Sequence, residues 1–150
     1  MKRSLCLLLL PVFFLVGGCA PKQVRVYEAL PESRSQIIEY AITLMGKPYK
    51  SAAKGPDAFD CSGLVYYVYK RFNVALPYTT EELDRVGVEI SRADVLAGDL
   101  VFFKIKRAYH MGMMLNGHEF IHASKSRGVA IDKLDLPYWQ RSLLRFRRVL

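Results

Sequence analysis

The chain has 150 residues, a formal net charge of +8 at pH 7 and a hydrophobic share of 51%. This length suits one domain of ordinary size, and the apolar share excludes a disordered chain. With 7 prolines, 10 glycines and 3 cysteines, the chain also falls outside the collagen-like, low-complexity and disulfide-rich classes.

The first 18 residues have the pattern of an export signal. A basic start precedes the unbroken apolar run 5–16, which is shorter than the ~20 residues that a membrane-spanning helix needs. The run ends in Val16-Gly17-Gly18-Cys19, which resembles a bacterial lipobox. We therefore predict a lipoprotein signal peptide over 1–18 and lipid attachment at Cys19. An ordinary signal peptide cut near Ala20 is the alternative.

The segment 19–33 carries prolines and no hydrophobic periodicity, which predicts a tether between the lipid and a domain over 34–150. Ser33 and Gln36 form a capping box, and apolar residues at helical spacing follow until Gly46 and Pro48. This pattern predicts a first amphipathic helix, with its apolar face formed by Ile37, Ile38, Ala41, Ile42, Leu44 and Met45.

The segment after Asp60 carries two conflicting indications. By propensity, residues 64–69 favour a strand because β-branched and aromatic side chains dominate. Asp60 is nevertheless a favourable N-cap, and one helical stripe follows it, formed by Cys61, Leu64, Val65, Val68 and Phe72. We therefore predict a second helix that starts at Cys61.

The second half of the chain changes from helical to strand-like patterns. Thr79 and Glu82 form a capping box for a short third helix that ends at Gly87. Five strands are predicted beyond it: 100–104, 110–115, 119–123, 129–132 and 144–149. Helices followed by antiparallel strands indicate an α+β domain.

Cys61 is the candidate nucleophile. If Cys6 leaves with the signal peptide and Cys19 is acylated, Cys61 is the only thiol left, so no intramolecular disulfide can form. At the first turn of a helix, unpaired N–H groups and the positive end of the helix dipole favour the thiolate. The base that a nucleophilic thiol needs would be His110 or His122, both in predicted strands.

Several motifs in a fixed order resemble the NlpC family of papain-like cysteine peptidases, which trim bacterial cell walls. The resemblance covers the chain from about Gly46 to the C-terminus. The motifs are Asp60-Cys61-Ser62-Gly63-Leu64-Val65, Leu76-Pro77, Gly98-Asp99-Leu100-Val101-Phe102-Phe103, His110-Met111-Gly112 and Phe120-Ile121-His122-Ala123-Ser124.

The resemblance implies a papain-like fold, with N-terminal helices packed on an antiparallel sheet of about five strands. It also implies Cys61 as nucleophile, His110 as general base and acid, and His122 as the polar residue that orients His110. Three further positions would shape substrate binding: Tyr49, Asp60 and Ser62. Their alternatives are a packed aromatic ring, a helix cap and a first-turn hydroxyl.

The turn between the predicted strands 110–115 and 119–123 tests this triad. A two-residue Asn116-Gly117 turn pairs Leu115 with His118 and puts His110 and His122 on opposite faces. A triad needs both on one face. We therefore predict a three-residue loop over 116–118 with a bulge, or another offset with the same parity.

Other ligand classes fit less well. His118 lies four residues from His122, but the segment is strand-like and no fourth ligand follows, so we expect no metal and no cofactor. A basic C-terminus, formed by Arg141, Arg145, Arg147 and Arg148, fits a solvated strand face or attraction to anionic lipids and peptidoglycan carboxylates. No recognition motif accompanies it, so we expect no nucleic acid.

The predicted function is that of a lipid-anchored cysteine endopeptidase. The resemblance implies hydrolysis of amide bonds in peptidoglycan peptides beside diaminopimelate, either after D-glutamate or at a cross-link. The alternatives are a non-catalytic wall-binding lipoprotein and an amidase or acyltransferase with the same chemistry. We expect a monomer in the cell envelope, at the outer membrane in a two-membrane bacterium. Ser51-Ala52-Ala53 and Tyr78 depart from the family pattern and bear on specificity.

Overall fold

The computed structural model describes residues 31–150. The predicted signal peptide, Cys19 and most of the predicted tether lie outside the described residues. Over 31–150, no helix combines the length and apolar character needed to cross a membrane.

The first helix, α1, spans Pro31–Thr43, so Ser33 lies inside it and the predicted start at Ser33 is wrong. The buried face is also narrower than the apolar pattern suggests. Ile37 and Ala41 are buried, whereas Ile42 and Met45 are each 43% exposed. Apolar spacing alone overestimates the face because only the inner stripe of the helix reaches the core.

The second helix, α2, spans Cys61–Arg71 and confirms the helical prediction over the strand propensity. The side chain of Asp60 caps it, because Oδ1 accepts a hydrogen bond from the N–H of Gly63 at 2.6 Å. Leu64, Val65 and Val68 are fully buried. Burial of this stripe and a good cap together outweigh a propensity difference of under ~1 kcal/mol per residue.

A short third helix, α3, spans Thr80–Leu83 and begins as predicted at its cap. The hydroxyl of Thr79 accepts from the N–H of Glu82 and donates to the Glu82 carboxylate. The helix ends at Leu83, four residues before Gly87. A fourth helix, α4, spans Pro137–Ser142 and was not predicted.

Six strands form one antiparallel sheet in the order β1-β6-β2-β3-β4-β5. Five match the predicted strands. The strand that was not predicted, the three-residue β1, pairs only with the last strand of the chain, and local patterns cannot show such a contact. The strands are β1 Val88–Ile90, β2 Leu100–Ile105, β3 Ala108–Met114, β4 Glu119–Ser124, β5 Gly128–Lys133 and β6 Leu143–Arg148.

Apolar side chains bury both faces of this sheet. On one face, α1 and α2 pack on strand residues that include Leu100, Phe102 and Met111. On the other face, Trp139 of α4 packs with Phe103 and further apolar residues. The helices-on-antiparallel-sheet architecture confirms the predicted α+β class, with six strands rather than about five.

A buried carboxylate ties the two ends of the domain together. Asp99 has no exposed surface, and it accepts hydrogen bonds from Arg34, Arg148 and the N–H of Leu96. These donors compensate the loss of water around the charge. Asp99 therefore holds α1 and β6 against the start of β2.

Candidate active site

Cys61 occupies the first position of α2, directly after its cap. The side chain is partly exposed, and its Sγ lies 3.5 Å from Oγ1 of Thr80, the first residue of α3. The N–H of a residue at a helix start has no partner within the helix, and the helix dipole is positive there. Cys61 thus combines an accessible sulfur with N–H groups suited to an oxyanion.

The β3–β4 hairpin has the predicted three-residue loop over 116–118. Met114 pairs with Phe120, and the N–H of Leu115 donates to the carbonyl of Glu119 at 2.8 Å. This offset puts His110 and His122 on the same face. Nε2 of His110 and Nδ1 of His122 lie 2.9 Å apart. The parity argument is therefore confirmed.

A carboxylate that the sequence analysis missed extends this pair. Oδ2 of Asp132, in β5, lies 3.0 Å from Nε2 of His122. The same oxygen accepts hydrogen bonds from Arg127 at 2.6 Å and from Nε1 of Trp139 at 3.1 Å. Oδ2 of Asp132 is therefore within hydrogen-bond distance of three side chains. His110, His122 and Asp132 form a row of hydrogen-bonded side chains, and Asp132 is its last member.

Aromatic rings enclose the two imidazoles. The Trp139 ring stacks on His110 with a centroid distance of 5.7 Å and an interplanar angle of 23°. It meets His122 edge-on at 5.1 Å. Phe103 packs against His110, and Phe120 packs against His122. This packing restricts both rings to one orientation.

Burial sets the charge state of the row. It lowers the pKa of His110 to about 3, helped by His122 and Lys125 and opposed by Asp132. Burial also lowers the pKa of His122, although Asp132 acts in the opposite direction. Burial of Asp132 would raise its pKa, but Arg127 and His122 hold it below the usual value. At neutral pH the row consists of two neutral imidazoles and one carboxylate.

A cavity of about 590 Å³ is lined by Cys61, His110 and His122 together with further residues. Its polar and cationic lining residues include four from the end of β4 and the β4–β5 turn, namely Ser124, Lys125, Ser126 and Arg127. Its larger apolar and aromatic lining residues are Ile105, Tyr109, Leu136, Tyr138 and Trp139. The cavity therefore offers both cationic groups and apolar surface.

The three predicted substrate-binding residues separate into two groups. Tyr49 lines the cavity, and burial, together with the nearby Cys61 and Asp60, raises its pKa. Asp60 and Ser62 are not among the lining residues. Asp60 caps α2 and pairs with Lys54 at 3.0 Å, while the Ser62 hydroxyl donates to the carbonyl of Tyr78.

The positions that depart from the family pattern also lie away from the cavity lining, including Tyr78 and the segment 51–53. His118 is exposed in the β3–β4 loop, apart from the buried His122. Across residues 31–150, no three His, Cys, Asp or Glu side chains cluster as a metal site would require.

The basic C-terminus is mostly paired with carboxylates. Arg145 and Arg147 lie near Asp84 and Glu89, at N–O distances of 3.5–3.8 Å. Arg148 pairs with Asp99 at 2.8 Å. Arg145 and Arg147 therefore form part of a mixed-charge strand face, and Arg148 serves the buried Asp99 pair.

Asp132 joins the site through the register of the β4–β5 hairpin, which the sequence alone does not fix. Ser124 pairs with Gly128 and His122 with Ala130 across β4 and β5. The alternation that unites His110 and His122 therefore also puts Asp132 on their face. Thr80 and Trp139 have no indication in the sequence either, because each reaches the site from a helix whose packing is set by tertiary contacts.

Comparisons with known proteins agree with this geometry. The NlpC/P60 family model matches residues 46–148. The chain is 33% identical over 151 residues to the probable endopeptidase NlpC of Escherichia coli K12, covering 96% of this chain and 98% of that protein. It is also 33% identical to the murein DD-endopeptidase MepS/murein LD-carboxypeptidase of the same organism, over 78% of this chain and 63% of that protein.

A solved structure shows the same fold. It is an NLP/P60-family protein from Staphylococcus aureus Mu50, described as similar to a lipoprotein, with a TM-score of 0.74 and 33% identity over 82% of this chain and 43% of that chain. The motifs, the fold and these similarities agree. The chain belongs to the NlpC/P60 family, whose peptidoglycan endopeptidases are hydrolases of the cysteine type.

Proposed function

We propose that this chain is a cysteine endopeptidase that hydrolyses amide bonds in peptidoglycan stem peptides or their cross-links, with Cys61 as nucleophile. The observation that carries the proposal is the cavity that Cys61 shares with the His110–His122 pair. A thiol at a helix start and an oriented imidazole in the same cavity are the parts that thiol hydrolysis requires.

The reaction follows from the roles of these groups. His110 takes the proton of the Cys61 thiol, and the sulfur attacks the substrate carbonyl carbon. The N–H of Cys61 donates to the oxyanion of the tetrahedral intermediate. His110 then protonates the leaving amine, which leaves an acyl-enzyme. Water, deprotonated by His110, releases the acid and restores the thiol.

The cavity lining supports an acidic peptide as substrate. Lys125 lines the cavity near His110, and Ser124 and Ser126 add hydroxyl groups to the lining. Peptidoglycan stem peptides carry free carboxylates, which cationic and hydroxyl groups bind. The apolar and aromatic lining residues, which include Tyr109 and Tyr138, supply surface for the aliphatic part of the peptide. Since the relative MepS is named a DD-endopeptidase, the cross-link is the first bond to assay.

The test uses the purified protein and its Cys61→Ala variant with intact peptidoglycan and with soluble cross-linked fragments, followed by mass spectrometry. We expect new peptide ends from the wild type and a loss of at least ~10³-fold in Cys61→Ala. Asp135→Ala, at an exposed carboxylate outside the cavity lining, is the control and should retain activity within a few-fold. Binding without fragments, unchanged in Cys61→Ala, would instead support a wall-binding lipoprotein. New acyl or amide products would support an acyltransferase or amidase.

The cellular location is a separate part of the proposal. We propose export, lipid attachment at Cys19 and residence as a monomer in the cell envelope, at the outer membrane where two membranes exist. The pattern of residues 1–19 supports this, as does the location of peptidoglycan. Labelling cells with an alkyne fatty acid should mark the wild type but not Cys19→Ala. Label retained in Cys19→Ala would contradict the assignment.

A further inference from the structure

We propose that Asp132 is a positioning residue that fixes the orientation and the tautomers of both histidines, so that Nδ1 of His110 is unprotonated and available to Cys61. The inference deepens the proposed function and rests on it in one respect, the role of His110 as the base. It adds a carboxylate to the catalytic row that none of the sequence motifs contains.

The proton positions follow from the hydrogen bonds. An ionised carboxylate only accepts, so His122 must carry its proton on Nε2, the nitrogen 3.0 Å from Asp132. In a neutral imidazole the other nitrogen is then an acceptor. Nδ1 of His122 is 2.9 Å from Nε2 of His110, so His110 is the donor of that bond. The lone pair of His110 is therefore on Nδ1.

The surrounding charges favour these protonation states. Arg127, at 2.6 Å, keeps Asp132 ionised. The groups that face His110 are His122, Lys125 and Asp132, and those that face His122 include Asp132 and Arg127. Burial keeps both imidazoles neutral at neutral pH. Trp139 donates to Asp132 and stacks on His110, so one side chain holds both ends of the row.

Without the acceptor at position 132, the hydrogen bond between His110 and His122 could reverse its direction. His122 could then carry its proton on Nδ1 and donate to Nε2 of His110. His110 would have its own proton on Nδ1 and would have no lone pair for the thiol. In the arrangement that Asp132 imposes, the thiol proton moves to Nδ1 of His110, the Nε2 proton stays in its bond to His122, and no proton moves to Asp132.

The first test reads the tautomers directly. Long-range ¹H–¹⁵N correlation spectra of the ¹⁵N-labelled wild-type protein at neutral pH distinguish protonated from unprotonated ring nitrogens. We expect both His110 and His122 to be protonated on Nε2 and unprotonated on Nδ1. A proton on Nδ1 of either ring would overturn the inference, whatever the variants show.

The second test uses Asp132→Ala and the conservative Asp132→Asn, which keeps an acceptor oxygen but removes the charge. In Asp132→Ala we expect mixed tautomers, a ~10–100-fold loss of kcat with KM changed less than about 2-fold, and slower alkylation of Cys61 by iodoacetamide at a given pH. Asp132→Asn should keep the tautomers and lose less activity. Asp135→Ala, the same truncation at an exposed carboxylate three residues away, should match the wild type.

The outcomes separate this inference from the proposed function. Unchanged tautomers in a folded Asp132→Ala, with kcat within about 2-fold of Asp135→Ala, would overturn it. If Asp132→Ala does not fold, the inference is decided by the wild-type spectra and by the tautomers and activity of Asp132→Asn. The tautomers and the alkylation rate need no peptidoglycan, so a wild type that fails to cleave peptidoglycan would count against the proposed function and leave these readouts intact.

Discussion

The two sides of the cavity are built from different distances along the chain. The helix side comes from one local segment, in which Asp60 caps the helix that begins with Cys61. The strand side draws on three strands and a separate helix, which bring together His110, His122, Asp132 and Trp139. Local hydrogen bonds therefore place Cys61, whereas sheet pairing and packing decide the protonation state of the two histidines.

This difference predicts how each side fails. On the helix side, changes at the cap and its partners, as distinct from Cys61 itself, should appear first as lost stability, because these residues are structural. Changes on the strand side should appear first as lost activity and altered pH dependence, because buried ionisable groups are held there. Four experiments test the contrast.

Low pH should lower the stability of the protein mainly through the ionisable groups of the strand side. Burial lowers the pKa of His110 to about 3 from its usual 6.5, and the pKa values of His122 and Asp132 are also lowered. The unfolded chain binds protons that the folded chain does not, so stability is complete above pH ~6.5 and falls as the pH drops towards 3. His110 alone accounts for up to about 5 kcal/mol.

Urea unfolding between pH 7.5 and 4 measures this loss. His110→Gln removes the largest contribution, so its stability should depend less on pH over the same range. A wild-type free energy of unfolding that stays constant down to pH 4 would contradict the neutral, buried state of His110.

Gly112→Ala should disturb the strand side by sterics alone. A Cβ at Gly112 would lie 2.7 Å from the carbonyl oxygen of Ile121 and 3.1 Å from Cβ of His122. We expect a loss of ~1–3 kcal/mol in stability and, because His122 shifts, about 10–100-fold in kcat. Gly117→Ala, in the same hairpin with no atom within 4 Å, is the control and should be neutral. Equal effects of the two substitutions would argue against the contact.

Asp60→Ala tests the helix side and the substrate role that the resemblance implied. Loss of the cap and of the Lys54 pair should cost ~1–2 kcal/mol of stability. Asp60→Asn keeps a good cap and should cost less, with KM unchanged. Asp57→Ala, an exposed carboxylate in the same loop, is the control. A several-fold higher KM in Asp60→Asn at unchanged stability would instead indicate substrate binding.

The smallest expected effect concerns the loop before the cap. Ala52 has a φ of 60°, a left-handed conformation that glycine adopts without steric cost. We expect Ala52→Gly to raise the free energy of unfolding by ~0.5–1 kcal/mol without a change in kcat. At Ala53, where φ is not positive, glycine should lower stability instead. Thermal unfolding of both variants distinguishes the two positions.

Most of the elements were predictable because their causes are local. The cap at Asp60 and the buried stripe of α2 correctly outweighed a strand-like composition. Alternation along β3 and β4 required the three-residue loop that the structure contains. Asp132 could not be found in this way, because its face depends on the pairing of Ser124 with Gly128, which the structure shows and the sequence does not fix. The elements that were not predicted, β1 and α4, depend on contacts with residues distant in the chain.

The sequence by itself determined that Cys61 begins a helix capped by Asp60 and that the loop between β3 and β4 has three residues if His110 and His122 share a face, because capping and side-chain alternation involve neighbouring residues. Only the tertiary structure decided that Arg127 and Trp139 converge on Asp132, that Asp60 and Ser62 lie off the cavity lining, and that both imidazoles are neutral. These properties depend on burial and on charges brought together from separate strands, so no local pattern contains them.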